Sequence, residues 1–213
     1  MANDRVNYDV MPNWNTNLYN TQLYNFQTLL DPYSNSVIAT DEKTGITLNA
    51  ICKADLPTLA FWRNSENIRV RTREFKPLDE IEQEKWLNGI SGSDKNIMFL
   101  VCNNRISVGV VGLCGIDYRN GTAEISFYIG KKEMQRTGNC FVALNLLIGY
   151  GFNELRLNRI FAEVFDFNVP CIKLLEKLNF KHEGTLRSHV FRLGKHSDSL
   201  MYGLLKEEYN ASS

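Results

Sequence analysis

The segment Ile129-Gly-Lys-Lys-Glu-Met-Gln-Arg-Thr-Gly-Asn-Cys140 separates a β-rich run from a strongly apolar one. The run before it, Thr122–Ile129, predicts a strand, and Gly138–Phe152 is apolar on nearly every face and predicts a buried helix. A helix start has unpaired backbone N–H groups and the positive end of the helix dipole, which together bind a diphosphate. Gly138 would let the backbone approach such a group, and Arg136 would add charge-assisted contacts. A glycine at this place also serves as a simple cap or packing residue, so both interpretations stay open.

The sequence on both sides of this loop predicts short strands that alternate with helices. Asp55 and Pro57 have the residue types of an N-cap and a first helical turn. Turn sequences between the β-rich runs are typical of antiparallel hairpins. The other predicted elements are strands at 46–51, 97–103, 108–118, 159–165, about 182–192 and 197–205, and helices at 55–62, 78–90 and 169–178. Together they predict an α/β fold of the α+β kind, with a mixed sheet.

A change in composition near Thr44 predicts a domain boundary. Residues 1–44 form a polar, Asn- and Tyr-rich arm in which 23–30 could form one short helix, and residues 45–213 form the domain. The arm would lie on the domain surface, form a wall of the substrate site, or contact a second copy in a homodimer.

Composition excludes several classes of function. Lys plus Arg and Asp plus Glu balance at 24 each, which gives no electrostatic support for binding nucleic acid or an anionic membrane. No apolar run is long enough to span a bilayer, and no signal peptide opens the chain, so a cytoplasmic protein is expected. The five cysteines form no CxxC pair and predict free, mostly buried thiols rather than disulfides or a metal site.

Three motifs resemble the GNAT superfamily of N-acyltransferases. Gln135-x-x-Gly138-x-Cys140 resembles its acetyl-CoA pyrophosphate loop, Q/R-x-x-G-x-G/A, with Cys140 in place of the final small residue. The run from Asn158 to Arg187 resembles the C-terminal half of the family. The opening helices, with Asp55-Leu-Pro-x-Leu-x-x-Trp-Arg-Asn64 and Gln83-Glu-Lys-Trp86, are similar to the RimJ/RimL-like branch. The resemblance spans roughly residues 45 to 208.

This resemblance implies acetyl-CoA or another acyl-CoA as co-substrate, no metal, and a largely antiparallel sheet flanked by helices. The sheet would be splayed between Thr122–Ile129 and Arg159–Phe165, with the pantetheine arm in the gap. Asn168 would bond to that arm, cap the following helix, or do both. The residues implied in CoA binding are Phe127, Ile129, Gln135, Arg136, Thr137, Gly138, Asn139, Cys140 and Asn168.

The implied reaction is direct attack of an amine on the thioester in a ternary complex. Glu124 is the candidate base that removes a proton from the amine, and on an alternating strand it shares a face with Ser126 and Tyr128. A backbone N–H at a strand bulge near Phe127–Tyr128 would stabilise the oxyanion. Leu175 stands where many relatives have the tyrosine that protonates the thiolate, so Tyr128, another hydroxyl or water would supply that proton. Cys140 and Cys171 are interpreted as packing residues.

Acceptor binding is assigned to three groups of side chains. Trp62, Arg63 and Asn64 resemble residues of enzymes that acylate nucleotide-linked amino deoxysugars for bacterial surface glycans such as O-antigen and lipopolysaccharide. Arg187 and His189 would share one strand face and could hold a phosphate. Arg69, Arg71 and Arg73 would also point to one side and could hold a phosphate if their segment is extended.

The preferred acceptor is therefore a dTDP- or UDP-linked amino sugar. The alternatives are a protein N-terminus or side chain, as in RimJ/RimL-like relatives, a polyamine or aminoglycoside, and a noncatalytic acyl-CoA-binding module. Neither the acyl group nor the sugar can be identified from the residues.

Overall fold

Eight strands form one sheet at the centre of the computed structural model, which describes residues 36–211. They are β1 (Val37–Asp41), β2 (Ile46–Ala50), β3 (Ile97–Asn103), β4 (Ile106–Asp117), β5 (Thr122–Ile129), β6 (Arg159–Phe165), β7 (Lys181–Arg192) and β8 (Lys195–Leu205). The strand order is β1-β2-β3-β4-β5-β6-β8-β7, and β5–β6 is the parallel pair among antiparallel neighbours. The predicted mixed α/β fold is confirmed.

Six helices complete the described part of the chain. They are α1 (Leu56–Asn64), α2 (Glu66–Arg69), α3 (Glu80–Ser91), α4 (Asn139–Asn153), α5 (Val169–Lys177) and α6 (Lys206–Ala211). The short α2 and α6 were not predicted from the sequence. No helix within residues 36–211 is both long and apolar enough to cross a membrane.

Strand β1 lies inside the stretch 1–44 that the sequence assigned to the arm. It pairs with β2, and Ala39 is buried in the core, so the sheet begins before the predicted boundary. The remaining arm, including the helix predicted at 23–30, lies outside the described residues.

The two faces of the sheet pack against different helices. Helix α4 fills one face, where Leu144, Leu147 and Phe152 are fully buried. Helices α1 and α3 cover part of the other face, and Leu59 and Trp62 belong to a second cluster there. Strand β5 contributes Ile125, Phe127 and Ile129 to the first face and Tyr128 to the second. This alternation sets which β5 side chains point to each side of the sheet.

Strands β5 and β6 part after a short parallel ladder. Their pairing ends at Glu124 and Phe161, yet β5 continues to Ile129 and β6 to Phe165. The splay implied by the family resemblance is thus present.

The segment that carries three arginines is not extended. Arg69 ends α2, and Arg71 donates to the backbone carbonyl and side chain of Asn67 one helical turn back. Arg73 reaches two carboxylates elsewhere. The predicted row of three arginines is wrong, because a short helix and turn replace the strand-like backbone that would align them.

Candidate active site

Two cavities meet along β5. The split cavity, about 660 Å³, lies in the gap between β5 and β6 and is bordered by the loop before α4 and by α5. The helix cavity, about 610 Å³, lies between α1, α3 and the neighbouring face of β4 and β5. Both cavities are lined by Ser126, Phe127 and Tyr128, so a molecule in one can touch a molecule in the other at this segment.

The loop before α4 presents unpaired backbone donors. Gly138 adopts φ +92°, and α4 begins at Asn139. Among the described residues, no backbone or side-chain group accepts from the N–H groups of residues 136–141. A side chain on Gly138 would meet no atom within 4 Å, so glycine is favoured here by its positive φ and not by lack of space. This arrangement suits a diphosphate at the loop and first turn.

Side chains of the loop hold its shape. Gln135 donates through Nε2 to the carbonyl of Ile129 at 2.8 Å, which ties the loop to the end of β5. Thr137 donates to the Met134 carbonyl at 2.8 Å. The buried Asn139 accepts from Asn103 at 3.0 Å. The side chains of these three predicted CoA-binding residues therefore make hydrogen bonds within the protein. What they can offer to CoA is their backbone N–H groups and the surface that they contribute to the cavity.

The backbone of β5 offers further donors to the gap. Gly130 N–H donates to Val108 on the β4 side, and strand alternation then turns the N–H groups of Phe127 and Ile129 toward the split cavity. The register of β4 with β5 has no shift between Gly109–Ile129 and Cys114–Glu124. The predicted bulge near Phe127–Tyr128 is therefore absent, and regular alternation exposes the donors.

Asn168 precedes α5 and lines the split cavity. Its side chain makes no capping hydrogen bond, while its backbone carbonyl accepts from Cys171 and Ile172 N–H. Of its two predicted roles, side-chain capping is not seen, and the amide is available to a ligand in the gap.

The thiols beside the gap are unreactive. Burial raises the pKa of Cys171 to about 12 and that of Cys140 further still, so both remain protonated thiols at neutral pH. A thiolate is the nucleophilic form, which supports their interpretation as packing residues. Leu175 is fully buried in the core, so no hydroxyl occupies its position.

Glu124 is part of an ion-pair network that the sequence analysis did not find. Arg73 Nη1 donates to Glu124 Oε2 at 3.0 Å, and its Nη2 contacts Oε1. Arg73 Nε also donates to Glu163 Oε2 at 3.0 Å, so this guanidinium bridges β5 and β6 close to where they part. The bond from Arg73 to Glu124, more than any other contact, raises the pKa of the guanidinium.

The same network extends to β8 and β7. Glu163 Oε1 lies 3.1 Å from His189 Nδ1, which lies 3.0 Å from Ser199 Oγ. Burial acts to raise the pKa of Glu163, but its bond with Ser199 and the charge of Arg73 outweigh it, so the pKa is lowered. The carboxylate of Glu163 is therefore held ionised.

Tyr128 borders both cavities. Burial raises its phenolic pKa above the usual value, and the guanidinium of Arg63, 5.8 Å from the ring centroid, lowers it only in part. The hydroxyl thus stays protonated at neutral pH, and burial makes it a weaker acid than a free tyrosine.

Four predicted acceptor-binding residues line neither cavity: Trp62, Asn64, Arg187 and His189. Trp62 is buried, and its ring lies so close to Gly130 that a side chain there would overlap it. Asn64 donates to and accepts from the backbone of Leu78, at 2.8 and 2.7 Å, and so fixes the start of α3. Arg187 is exposed on β7, where a register shift between Leu186 and Val190 breaks the alternation that would align it with His189. Arg63 does line both cavities.

Charge is distributed unequally around the split cavity. Its positively charged lining residues are Arg63, Arg71, Arg73, Arg136 and Lys177, against Glu74, Glu124 and Glu163. The surplus of cations suits a ligand with several phosphates. Within residues 36–211, no three His, Cys, Asp or Glu side chains are grouped to hold a metal ion.

The chain matches a known domain family and several known proteins. The model of the acetyltransferase (GNAT) domain matches residues 46–181. An uncharacterized N-acetyltransferase p20 of Bacillus licheniformis is 45% identical over 103 residues, which are 47% of this chain and 57% of that protein. The chain thus aligns with little more than half the length of this relative.

Two solved structures share the fold. Spermidine N-acetyltransferase from Vibrio cholerae, in complex with CoA and spermine, is 27% identical with a TM-score of 0.73, over 78% of this chain and 98% of that one. RimL, a ribosomal L7/L12 alpha-N-protein acetyltransferase in complex with CoA, has a TM-score of 0.73 over 81% of this chain and 99% of that one. At 17% identity the second likeness shows the fold alone. With the family match, the splayed strands and the donor loop, the chain belongs to the GNAT acetyltransferase family.

Proposed function

We propose that this protein transfers the acetyl group of acetyl-CoA to a primary amine by direct attack in a ternary complex. The observation that carries the proposal is the gap between β5 and β6, which runs from the donor loop to the segment shared by both cavities. The loop N–H groups would bind the diphosphate, and the amide of Asn168 would bind the pantetheine arm. Acetyl-CoA supplies an activated thioester carbonyl.

The residues at the shared segment have separate tasks in this proposal. The Phe127 N–H, which faces the gap, would donate to the oxyanion. Glu124 would take the amine proton, directly or through water. Arg73 occupies both of its oxygens on one side, but each carboxylate oxygen has a second lone pair. Tyr128 would give its proton to the departing thiolate and regain one from solvent.

The shape and charge of the helix cavity bear on the acceptor. The charged side chains among the described residues that line the helix cavity are those of Arg63, Glu74 and Glu82. Most of the other lining side chains are apolar. A diphosphate would have little compensation there, so the nucleotide-linked amino sugar has less support than a peptide-like amine such as a protein N-terminus. Polyamines also have less support, because the carboxylates of Glu124 and Glu163 both pair with Arg73, which offsets one of their two charges.

Release of CoA thiol tests the proposal. The protein would be given acetyl-CoA with short peptides, dTDP- and UDP-linked amino sugars, or spermidine, and the amine-free reaction serves as control. We expect thiol release above the control with peptides, and faster than with the other acceptors. CoA binding without thiol release from any amine would contradict the proposal and favour a noncatalytic acyl-CoA-binding module.

A further inference from the structure

Helix α3 buries a glutamine where its pattern calls for an apolar residue. The buried stripe of this helix runs through Gln83, Trp86, Leu87 and Ile90, at i, i+3, i+4 and i+7. Gln83 is only 4% exposed, while Ile81, two residues earlier, is 64% exposed. The helix is thus rotated so that an amide faces inward and an isoleucine faces solvent.

The amide of Gln83 has no partner in the protein. It lines the helix cavity, and its side chain makes no hydrogen bond with any residue of the described range 36–211. Among the other buried polar side chains, those of Asn139 (7% exposed) and Ser199 (0% exposed) have side-chain partners, while none is seen for Ser197 (5% exposed) within residues 36–211. Within residues 36–211 the fully enclosed side-chain atoms without a partner are Arg69 Nε and Arg192 Nε, so the amide atoms of Gln83 are not sealed off but face the cavity, where a ligand can reach them.

The surroundings of Gln83 define the complementary group. A glutamine amide has donors and an acceptor side by side, and another amide can pair with both at once. The apolar lining residues of the helix cavity are Leu59, Leu78, Trp86, Ile90, Met98 and Val110. They would cover an apolar side chain of the ligand, and the same cavity reaches Ser126 and Tyr128, where an amine would meet the thioester.

We propose that Gln83 is a specificity-determining residue that hydrogen-bonds a neutral amide of the acceptor, so the acceptor is an α-amino amide with an apolar side chain. This is the chemistry of a protein or peptide N-terminus. The inference deepens the proposed function and rests on it.

Two amines that differ by one carboxamide provide the test. L-Phenylalaninamide carries the amide, and 2-phenylethylamine is the same amine without it. The wild-type protein should use the first with a kcat/KM at least ~10-fold higher, about the effect of one buried hydrogen bond. Gln83→Met keeps the side-chain length and removes the hydrogen bonds, so the ratio should fall to about 1, chiefly through KM for phenylalaninamide. Lys85→Met, on the exposed side of α3, is the matched control and should keep the wild-type ratio.

Thermal stability and binding separate this role from a structural one. Gln83→Met should leave Tm unchanged, since the amide faces the cavity and no hydrogen bond to a residue of the range 36–211 is lost. A lowered Tm would show that the glutamine stabilises the fold, and would overturn the proposal.

Calorimetric titration of both amines into the CoA-bound protein gives a readout independent of turnover. The wild-type protein could bind phenylalaninamide preferentially, lose that preference in Gln83→Met, and show no turnover. This result would contradict the proposed function but not the role of Gln83. Equal binding of both amines, or of neither, by the wild-type protein would overturn the role of Gln83.

Discussion

Tyr128 borders both cavities, and burial keeps its hydroxyl protonated well above neutral pH. In the proposed mechanism Tyr128 would be the proton donor to the leaving thiolate, in place of the tyrosine that many relatives have at the position of Leu175. Tyr128→Phe should lower kcat about 10-fold, which is less than general acids usually contribute, because a thiolate leaves readily.

A lowered kcat with an unchanged KM for acetyl-CoA distinguishes this role from a packing role. The raised pKa of Tyr128 keeps its hydroxyl protonated in the wild type up to about pH 9. The loss of rate in Tyr128→Phe should therefore be equal at neutral and at mildly alkaline pH, with KM for acetyl-CoA unchanged. Tyr118→Phe, at an exposed position, is the control. A variant with wild-type kcat would remove Tyr128 from the mechanism.

The residue scale is also where the sequence was least informative. Arg73 meets carboxylates 51 and 90 residues away in the chain, and no local pattern encodes such a contact. Arg192 donates to the carbonyls of Thr72 and Arg73 and so holds the segment between α2 and α3 in place. Arg192 is also far from this segment in the sequence. The buried position of Gln83 was not predicted, although Trp86, Leu87 and Ile90 follow it at helical spacing, because a polar side chain is not expected on the inward face of a helix.

At the scale of elements, the sequence predicted more. Strand β5 was located at its observed bounds, and β6, α4 and α5 within a residue or so, since their hydrophobic patterns are long enough to show a period. The short α2 has too few residues for a period, which is why an extended segment was predicted there. Strand β1 was missed because the Asn- and Tyr-rich composition around it masks a short apolar run.

The loop before α4 depends on the conformation of one glycine. Gly138 has φ +92°, so Gly138→Ala would strain the loop by about 1–2 kcal/mol although space is available. We expect the Kd for CoA to rise about 10-fold as the loop relaxes and its N–H groups turn away. Gly184→Ala is the matched control, because Gly184 also has open space but no positive φ. An unchanged Kd in Gly138→Ala would show that this loop does not bind the diphosphate.

At the scale of the whole molecule, the parting of two strands divides the site between the two faces of one sheet. The gap between β5 and β6 has the backbone donors and the surplus of cations, three of which (Arg63, Arg71 and Arg73) come from α1 and the segment after α2. The apolar cavity with Gln83 lies on the face packed by α1 and α3. The two meet at Ser126–Tyr128. This division explains how a cofactor with several phosphates and a largely uncharged acceptor can be bound close together.

A crystal structure of the complex with CoA tests this arrangement most directly. The account predicts diphosphate oxygens about 3 Å from backbone N–H groups of residues 136–141, and a pantetheine arm between β5 and β6 beside Asn168. CoA bound outside the gap, or strands paired beyond Glu124 and Phe161 with CoA elsewhere, would contradict it.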